Sequence, residues 1–139
     1  MRIGIVDGQG GGIGSAIIRR LKEDFSEKVE IWALGTNAIA TAAMMKARAN
    51  RGATGENAII QSVVKVDIIL GTVSIVMAHA MMGELTPAIA TAIAASPAKK
   101  LLLPLSQENI KIIGIYKEPL PHLIDLMVKM LQKEVMKNV

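Results

Sequence analysis

The sequence predicts a three-layer α/β fold, with helices on both faces of a doubly wound parallel sheet of five to six strands. Strand-like and helix-like segments alternate along the chain, which is the pattern of such folds. Hydrophobic residues make up 51% of the 139 residues, but only one Phe, one Trp and one Tyr are present. The core must therefore be aliphatic, as in parallel sheets that are covered on both faces. The length fits one domain over residues 1–139.

Each segment is assigned from its hydrophobic period and its flanking turn residues. Strands are predicted at residues 3–6, 29–34, 51–54, 67–71, 100–105 and 110–116. Helices are predicted at residues 13–23, about 37–48, 74–82, about 86–96 and about 119–137, and from residue 56 onward. The third strand is minimal, and the expected strand order is 3-2-1-4-5-6.

Local signals support three of these assignments. Residues 51–54 are assigned as an edge strand because two consecutive helices on a parallel sheet need an extended return between them. Asn37 follows a turn and is a preferred residue for capping the second helix. Thr86 followed by Pro87 is a strong helix start, since proline fits the first helical position.

Residues 7–14 contain five glycines between the first strand and the first helix, and they predict a phosphate-binding turn. Glycine allows positive φ and close approach of a ligand, and a helix start presents free N–H groups and the positive end of its dipole. The spacing of Gly8, Gly12 and Gly14 resembles the turn of short-chain dehydrogenases. The general dinucleotide fingerprint is incomplete, because its third glycine is missing. A tight structural turn is the alternative.

NAD(P) or another nucleotide is the cofactor class that such a turn would hold. The dinucleotide fingerprint also expects an acidic residue at the end of the second strand, and residues 34–37 contain none, which disfavours ordinary NAD(P) recognition. The Tyr and Lys of short-chain dehydrogenases are absent, because Leu120 stands four residues after Tyr116. His79 and His122 have no metal-ligand spacing, so no metal site is predicted.

Polar side chains at the carboxyl ends of neighbouring strands complete the candidate site, because these ends meet at one edge of a parallel sheet. The polar side chains after the second and third strands would contact a sugar or base, and those after the fourth strand would close the other side of the site. Helix capping and complementing of helix dipoles are the simpler explanations for several of them. The candidate ligand-binding residues are Asp7, Gly8, Gln9, Gly10, Gly11, Gly12, Ile13, Gly14, Thr36, Asn37, Glu56, Asn57, Thr72 and Ser74.

Two other kinds of function stay open. One is a small oligomeric enzyme in which Asp7, Glu56 or His79 does acid–base chemistry on a phosphorylated metabolite. The other is a regulatory or interaction subunit that uses the apolar stripe of its last helix. Glu84, beside a helix start, is either a base or a complement to the helix dipole.

Composition and charge limit the partners. The apolar excess on a short chain predicts a homo-oligomer, and the glycine turn predicts a small phosphorylated ligand. The net charge is +4, but the basic residues are dispersed and only three aromatic residues could stack on bases, so nucleic-acid binding is not predicted. The apolar stretch at residues 68–82 is shorter than the roughly 20 residues of a membrane span, so no membrane partner is predicted. With no signal-peptide pattern, a cytoplasmic location is expected.

Four motifs stand out in combination. They are GQGGGIG at residues 8–14, LGTNAIA at 34–40, GATGENA at 52–58 and GELTP at 83–87. Together they resemble a small bacterial family that is a domain of unknown function, and the likeness covers nearly the whole chain. The resemblance implies a Rossmann-like fold with presumed nucleotide binding and no established activity.

Overall fold

The computed structural model of the chain describes residues 1–106 and 108–137. The strands are β1 (Arg2–Asp7), β2 (Glu30–Gly35), β3 (Arg51–Thr54), β4 (Ile68–Thr72) and β5 (Lys99–Leu103). The helices are α1 (Gly12–Phe25), α2 (Ala38–Lys46), α3 (Glu56–Ser62), α4 (Pro87–Ala95) and α5 (Leu120–Lys137), with 3₁₀ turns at Ser26–Lys28 and Val73–Val76. The strands form one all-parallel sheet in the order β3-β2-β1-β4-β5. The predicted α/β class is confirmed, and the fold is Rossmann-like.

The strand order reverses between β1 and β4, and this reversal sends the later crossovers to the other face of the sheet. Helices α1, α2 and α5 pack on one face, and α3 and α4 pack on the other. One core includes Ile5 of β1 and Leu21 of α1, and the other includes Leu34 of β2 and Ile89 of α4. The sheet is therefore buried on both faces, as the aliphatic composition predicts.

The local signals for β3 and for two helix starts are confirmed. β3 occupies the predicted four residues and pairs with β2 at the edge of the sheet. The Asn37 side chain caps α2 by accepting a hydrogen bond from the amide of Ala40 at 2.9 Å. The Thr86 hydroxyl caps α4 by accepting one from the amide of Ile89 at 3.1 Å.

The predicted sixth strand is wrong. Residues 110–116 form turns and irregular backbone with exposed side chains. A parallel strand would need a crossover of about a dozen residues, whereas only residues 104–109 separate this segment from β5. Gly114, with φ of 91°, also interrupts an extended backbone. Within the described part of the chain, β5 is therefore the last strand.

The predicted helix at residues 74–82 is also wrong, because only Val73–Val76 are helical, as a 3₁₀ turn. Residues 77–86 form a compact loop, closed by the amide of His79 donating to the carbonyl of Leu85 at 2.7 Å. Positive φ angles in this 77–86 loop exclude an α-helix. They belong to His79 (68°), Met81 (58°), Met82 (56°) and Gly83 (90°). Across residues 1–106 and 108–137, no helix has the length and apolar character needed to cross a membrane.

Candidate functional site

Asp7, the last residue of β1, anchors the glycine-rich segment, residues 8–14. Asp7 is only 8% exposed. Its Oδ1 accepts a hydrogen bond from the amide of Gly8 at 2.8 Å, and its Oδ2 accepts one from the amide of Gly14 at 2.7 Å. Burial raises the pKa of Asp7, although the amides of Gly14 and Gly8 oppose the rise. Both oxygens thus bind the segment itself and fix the start of α1 against the end of β1.

Three glycines of the segment are required by packing. A Cβ at Gly8 would lie 2.5 Å from Thr36 Oγ1, and one at Gly11 would lie 2.7 Å from the carbonyl oxygen of Ala40. Gly11 also has φ of 74°, which L side chains rarely adopt. A Cβ at Gly14 would come within 2.6 Å of a methionine side chain of α2. A structural turn is a sufficient explanation for these three positions.

Gly10 and Gly12 differ, because nothing in the described structure requires glycine there. Both are exposed, neither has a positive φ, and a Cβ at either would meet no atom within 4 Å. The amides of Gly10, Gly12 and Ile13 donate to no acceptor among the described residues. These amides lie at the N-terminal end of a 14-residue helix, whose dipole favours negative charge. Gly10 and Gly12, called here the open glycines, therefore leave an uncovered group of backbone donors.

The amide next to the open glycines, that of Gln9, is already bound by a carboxylate from the 77–86 loop. Oε1 of Glu84 accepts hydrogen bonds from the amide of Gln9 at 2.8 Å, the hydroxyl of Thr36 at 2.7 Å and the side-chain amide of Asn37 at 2.7 Å. Burial alone would raise the pKa of Glu84, but these hydrogen bonds outweigh burial and hold the pKa below its usual value. Glu84 is therefore ionised at neutral pH and ties the 77–86 loop to the glycine-rich segment and to the end of β2.

A cavity of about 260 Å³ lies where the strand order reverses, beyond the ends of β1 and β4. Ligands of doubly wound sheets bind in this crevice, and we call it the switch-point cavity. Five of the predicted residues line it, namely Asp7, Gln9, Ile13, Thr72 and Ser74. Its other lining residues, which the sequence did not indicate, are Met81, Leu105, Ser106 and Glu108.

A basic groove of about 670 Å³ runs between α1 and α2 and begins at the open glycines. It shares no lining residue with the switch-point cavity. Arg19, Lys46 and Arg48 line it, and their side chains form no ion pair or hydrogen bond with any described residue. The groove therefore surrounds one side of the open glycines with positive charge. Its charged lining residues are Arg19, Lys22, Glu23, Lys46 and Arg48.

The remaining predicted residues have different surroundings. Glu56 and Asn57 begin α3 on the surface and do not line the switch-point cavity. They follow β3 at the same edge of the sheet as the glycine-rich segment, two strands away from it. Thr36 and Asn37 lie beside the segment, where their side chains bind Glu84. Contact between these four residues and a ligand stays a prediction.

The three groups of the enzyme hypothesis do not line one pocket. Asp7 lines the switch-point cavity, but both of its oxygens accept backbone hydrogen bonds. Glu56 is exposed at the start of α3, and His79 is exposed in the 77–86 loop. A general base must come within roughly 3 Å of the proton that it removes, and this arrangement does not gather the three groups around one substrate.

Sequence reasoning missed the position of Glu84. From the sequence, Glu84 is only an acid near the start of α4, and the helix assigned to residues 74–82 hides the loop that carries it. One signal could have found it. The chain after β4 leaves the sheet at the same edge as the chain after β1, so an acid in that connection can reach the glycine-rich segment.

The sheet order, the glycine-rich segment and the switch-point cavity define a Rossmann-like α/β protein. The chain matches the family described as a domain of unknown function (DUF3842) over residues 2–136, and it belongs to that family. The predicted family of unknown function is thereby confirmed. No curated protein and no solved structure matches the chain. The cytoplasmic location stays a prediction.

The two kinds of glycine should respond differently to alanine. We expect Gly8→Ala to lower the free energy of unfolding by about 1–3 kcal/mol, since a Cβ there overlaps Thr36. Gly10→Ala should change it by less than about 0.5 kcal/mol, because the added methyl group meets nothing. Urea unfolding followed by circular dichroism measures both. Equal destabilisation by the two variants would contradict the distinction between packed and open glycines.

The stability that Glu84 contributes should depend on pH. Its pKa is lower in the folded chain than its usual value of 4.5, so the contribution is present above pH 4.5 and is lost as the pH falls through the folded-state pKa. The difference in free energy of unfolding between the wild type and Glu84→Gln should therefore shrink as the pH falls below 4.5. Urea unfolding at a series of pH values measures this difference.

Asp7 has the opposite dependence, because a raised pKa gives stability that is lost as the pH rises. Asp7 is present in both the wild type and Glu84→Gln, so most of its effect cancels in the difference between their free energies of unfolding. Thr36→Val removes one donor to Glu84 and should move the loss to higher pH. A difference between wild type and Glu84→Gln that stays constant down to pH 3 would exclude this role of Glu84.

Proposed function

We propose that the chain binds a nucleotide, a dinucleotide or another phosphorylated ligand, with a phosphate on the amides of Gly10, Gly12 and Ile13. The observation that carries the proposal is the pair of open glycines at the start of α1. The fold does not need glycine at these two positions, whereas a phosphate that approaches the backbone does. Three amides that donate to no described residue, together with the end of a helix dipole, supply the donors and the charge.

The surroundings favour a ligand larger than phosphate. The switch-point cavity beside the segment has hydroxyl groups from Thr72, Ser74 and Ser106 and apolar walls from Met81 and Leu105. Such a mixed lining suits a sugar or a base, and its position is the ligand crevice of doubly wound folds. The basic groove on the other side would accommodate further negative charge.

We also propose that the chain forms a homo-oligomer through β5 and α5. Residues 110–116 and the outer side of α5 expose apolar side chains, including Ile113 at 98% and Met130 at 55%. A largely apolar depression of about 460 Å³ joins β5, this segment and α5. A cluster of exposed apolar side chains is characteristic of interaction sites. The edge of β5 is also unpaired within the described chain, and a second copy would cover it.

Ligand binding should depend on the absence of charge at Gly12. Aspartate at the first residue of α1 is favourable for the helix dipole, so Gly12→Asp should fold at least as stably as the wild type. It should abolish binding, because its carboxylate would occupy and repel the phosphate position. Gly12→Asn, of the same shape without the charge, should bind more weakly than the wild type but better than Gly12→Asp.

Thermal shift with NAD, NADP, ATP and coenzyme A measures this binding, since a ligand at 100 times its Kd adds about 2.7 kcal/mol of stability. The proposal fails when none of these ligands stabilises the wild type at millimolar concentration. It fails equally when Gly12→Asp is stabilised as much as the wild type.

The proposed oligomer should dissociate when charge is placed on the exposed side of α5. Leu126→Glu with Met130→Glu should leave the fold intact, because both side chains are exposed, whereas Met127 is only 3% exposed and belongs to the core. Sedimentation velocity should show a smaller species than for the wild type. Ile39→Glu, at an exposed apolar position on α2 away from this surface, is the control. A wild type that is monomeric at tens of micromolar removes the proposal.

A further inference from the structure

The described structure has a carboxylate at the end of β2, although the sequence there has none. In doubly wound folds that bind dinucleotides, an acidic residue at this place accepts hydrogen bonds from ribose hydroxyls. Here the residues that follow β2 are Thr36 and Asn37. Both donate to Glu84, which reaches them from the 77–86 loop, 48 residues beyond Thr36 in the sequence.

The two oxygens of Glu84 are in different situations. Oε1 accepts three hydrogen bonds, from the Gln9 amide, the Thr36 hydroxyl and the Asn37 side chain. Oε2 bonds to no described residue, and it is not among the buried atoms, so solvent reaches it. The carboxylate is thus held by one oxygen and keeps the other free to accept hydrogen bonds.

The position of the carboxylate is fixed before any ligand arrives. Backbone hydrogen bonds from the amide of His79 to the carbonyl of Leu85 and from the amide of Leu85 to the carbonyl of Ala80 enclose the turn that carries Glu84. The Thr36 amide also donates to the carbonyl of Asp7 at 3.0 Å, which keeps the ends of β1 and β2 together. A group that is ordered in advance loses little entropy when a ligand binds.

We propose that Oε2 of Glu84 accepts hydrogen bonds from the ribose hydroxyls of a ribonucleotide, an assignment that rests on the phosphate site proposed for the open glycines. The Gln9 amide that holds Glu84 is followed directly by the amide of Gly10. The amide that binds the carboxylate and the first amide of the proposed phosphate site thus belong to consecutive residues, whose Cα atoms lie about 3.8 Å apart. A single ribose 5′-phosphate can reach both.

The chemistry of a carboxylate then sets the ligand class. An ionised carboxylate only accepts hydrogen bonds, so it pairs with a 2′- or 3′-hydroxyl and repels a 2′-phosphate. The site should select ribonucleotides over their 2′-deoxy forms and NAD over NADP. Neither selection requires any contact with the base.

Calorimetric titration of ADP, GDP, UDP and CDP, each beside its 2′-deoxy form, tests this assignment. We expect at least one ribonucleotide to bind, and its deoxy form to bind the wild type about tenfold or more weakly, because a hydrogen bond to a charged group is lost. Glu84→Gln retains an oxygen for the three donors but replaces the free acceptor by an NH₂ group. In this variant the preference for ribose should fall to less than about threefold, and the ratio of NADP to NAD affinity should rise.

Glu108→Gln is the matched control, because Glu108 lines the neighbouring switch-point cavity and bonds to the 77–86 loop through the Met81 amide, but does not bond to Thr36 or Asn37. It should keep the wild-type preference for ribose. Equal binding of the ribo and deoxy forms to the wild type overturns the assignment. This comparison uses the wild type alone, so it does not require that any variant folds. A ribose preference that persists undiminished in Glu84→Gln overturns it as well. Both of these results leave the phosphate proposal standing. Failure of all four nucleotides to bind also overturns this assignment, whereas the phosphate proposal is rejected only by the separate thermal-shift series with NAD, NADP, ATP and coenzyme A.

Discussion

The fold and the candidate site both depend on the way in which the Asp7 carboxylate closes the glycine-rich segment. Its two oxygens accept the amides of Gly8 and Gly14, so the first and last residues of the segment are tied to the end of β1. The start of α1 is thereby held at the point where the strand order reverses. Both oxygens of Asp7 bind these two anchors, and the amides of the open glycines between them remain without an acceptor in the described structure.

Glu84 extends this arrangement across the edge of the sheet. It connects the loop that follows β4 with the segment after β1 and with the end of β2. Positive φ at non-glycine residues is unfavourable, and three such residues lie in the 77–86 loop. The charge-assisted hydrogen bonds of Glu84 help to offset that strain. The loop is therefore not a spacer between β4 and α4, because it supplies the carboxylate that joins three strand ends.

Hydrophobic period and turn chemistry predict most of the fold. They give all five strands, the minimal β3, and the caps of α2 and α4 by Asn37 and Thr86, because each of these follows from local residues. They fail at residues 74–82 and 110–116, where apolar runs fit more than one period and tertiary contacts or chain length decide the conformation. The glycine-rich segment is recognisable from the sequence, but the distinction between packed and open glycines is not, since it depends on neighbours from α2 and from the 77–86 loop.

Two carboxylates close to the proposed phosphate site would repel a phosphate, but their orientation resolves the conflict. Asp7 directs both oxygens at amides, and Glu84 directs one oxygen at three donors, so much of their charge is neutralised locally. The basic groove lies on the other side of the open glycines, and the α1 dipole adds about half a positive charge there. In the proposed orientation, the phosphate of a nucleotide would face the amides and the groove, and its ribose hydroxyls would face the Glu84 carboxylate. The reversed orientation would bring phosphate against a carboxylate. Charge placement would therefore fix the direction of the ligand as well as its class.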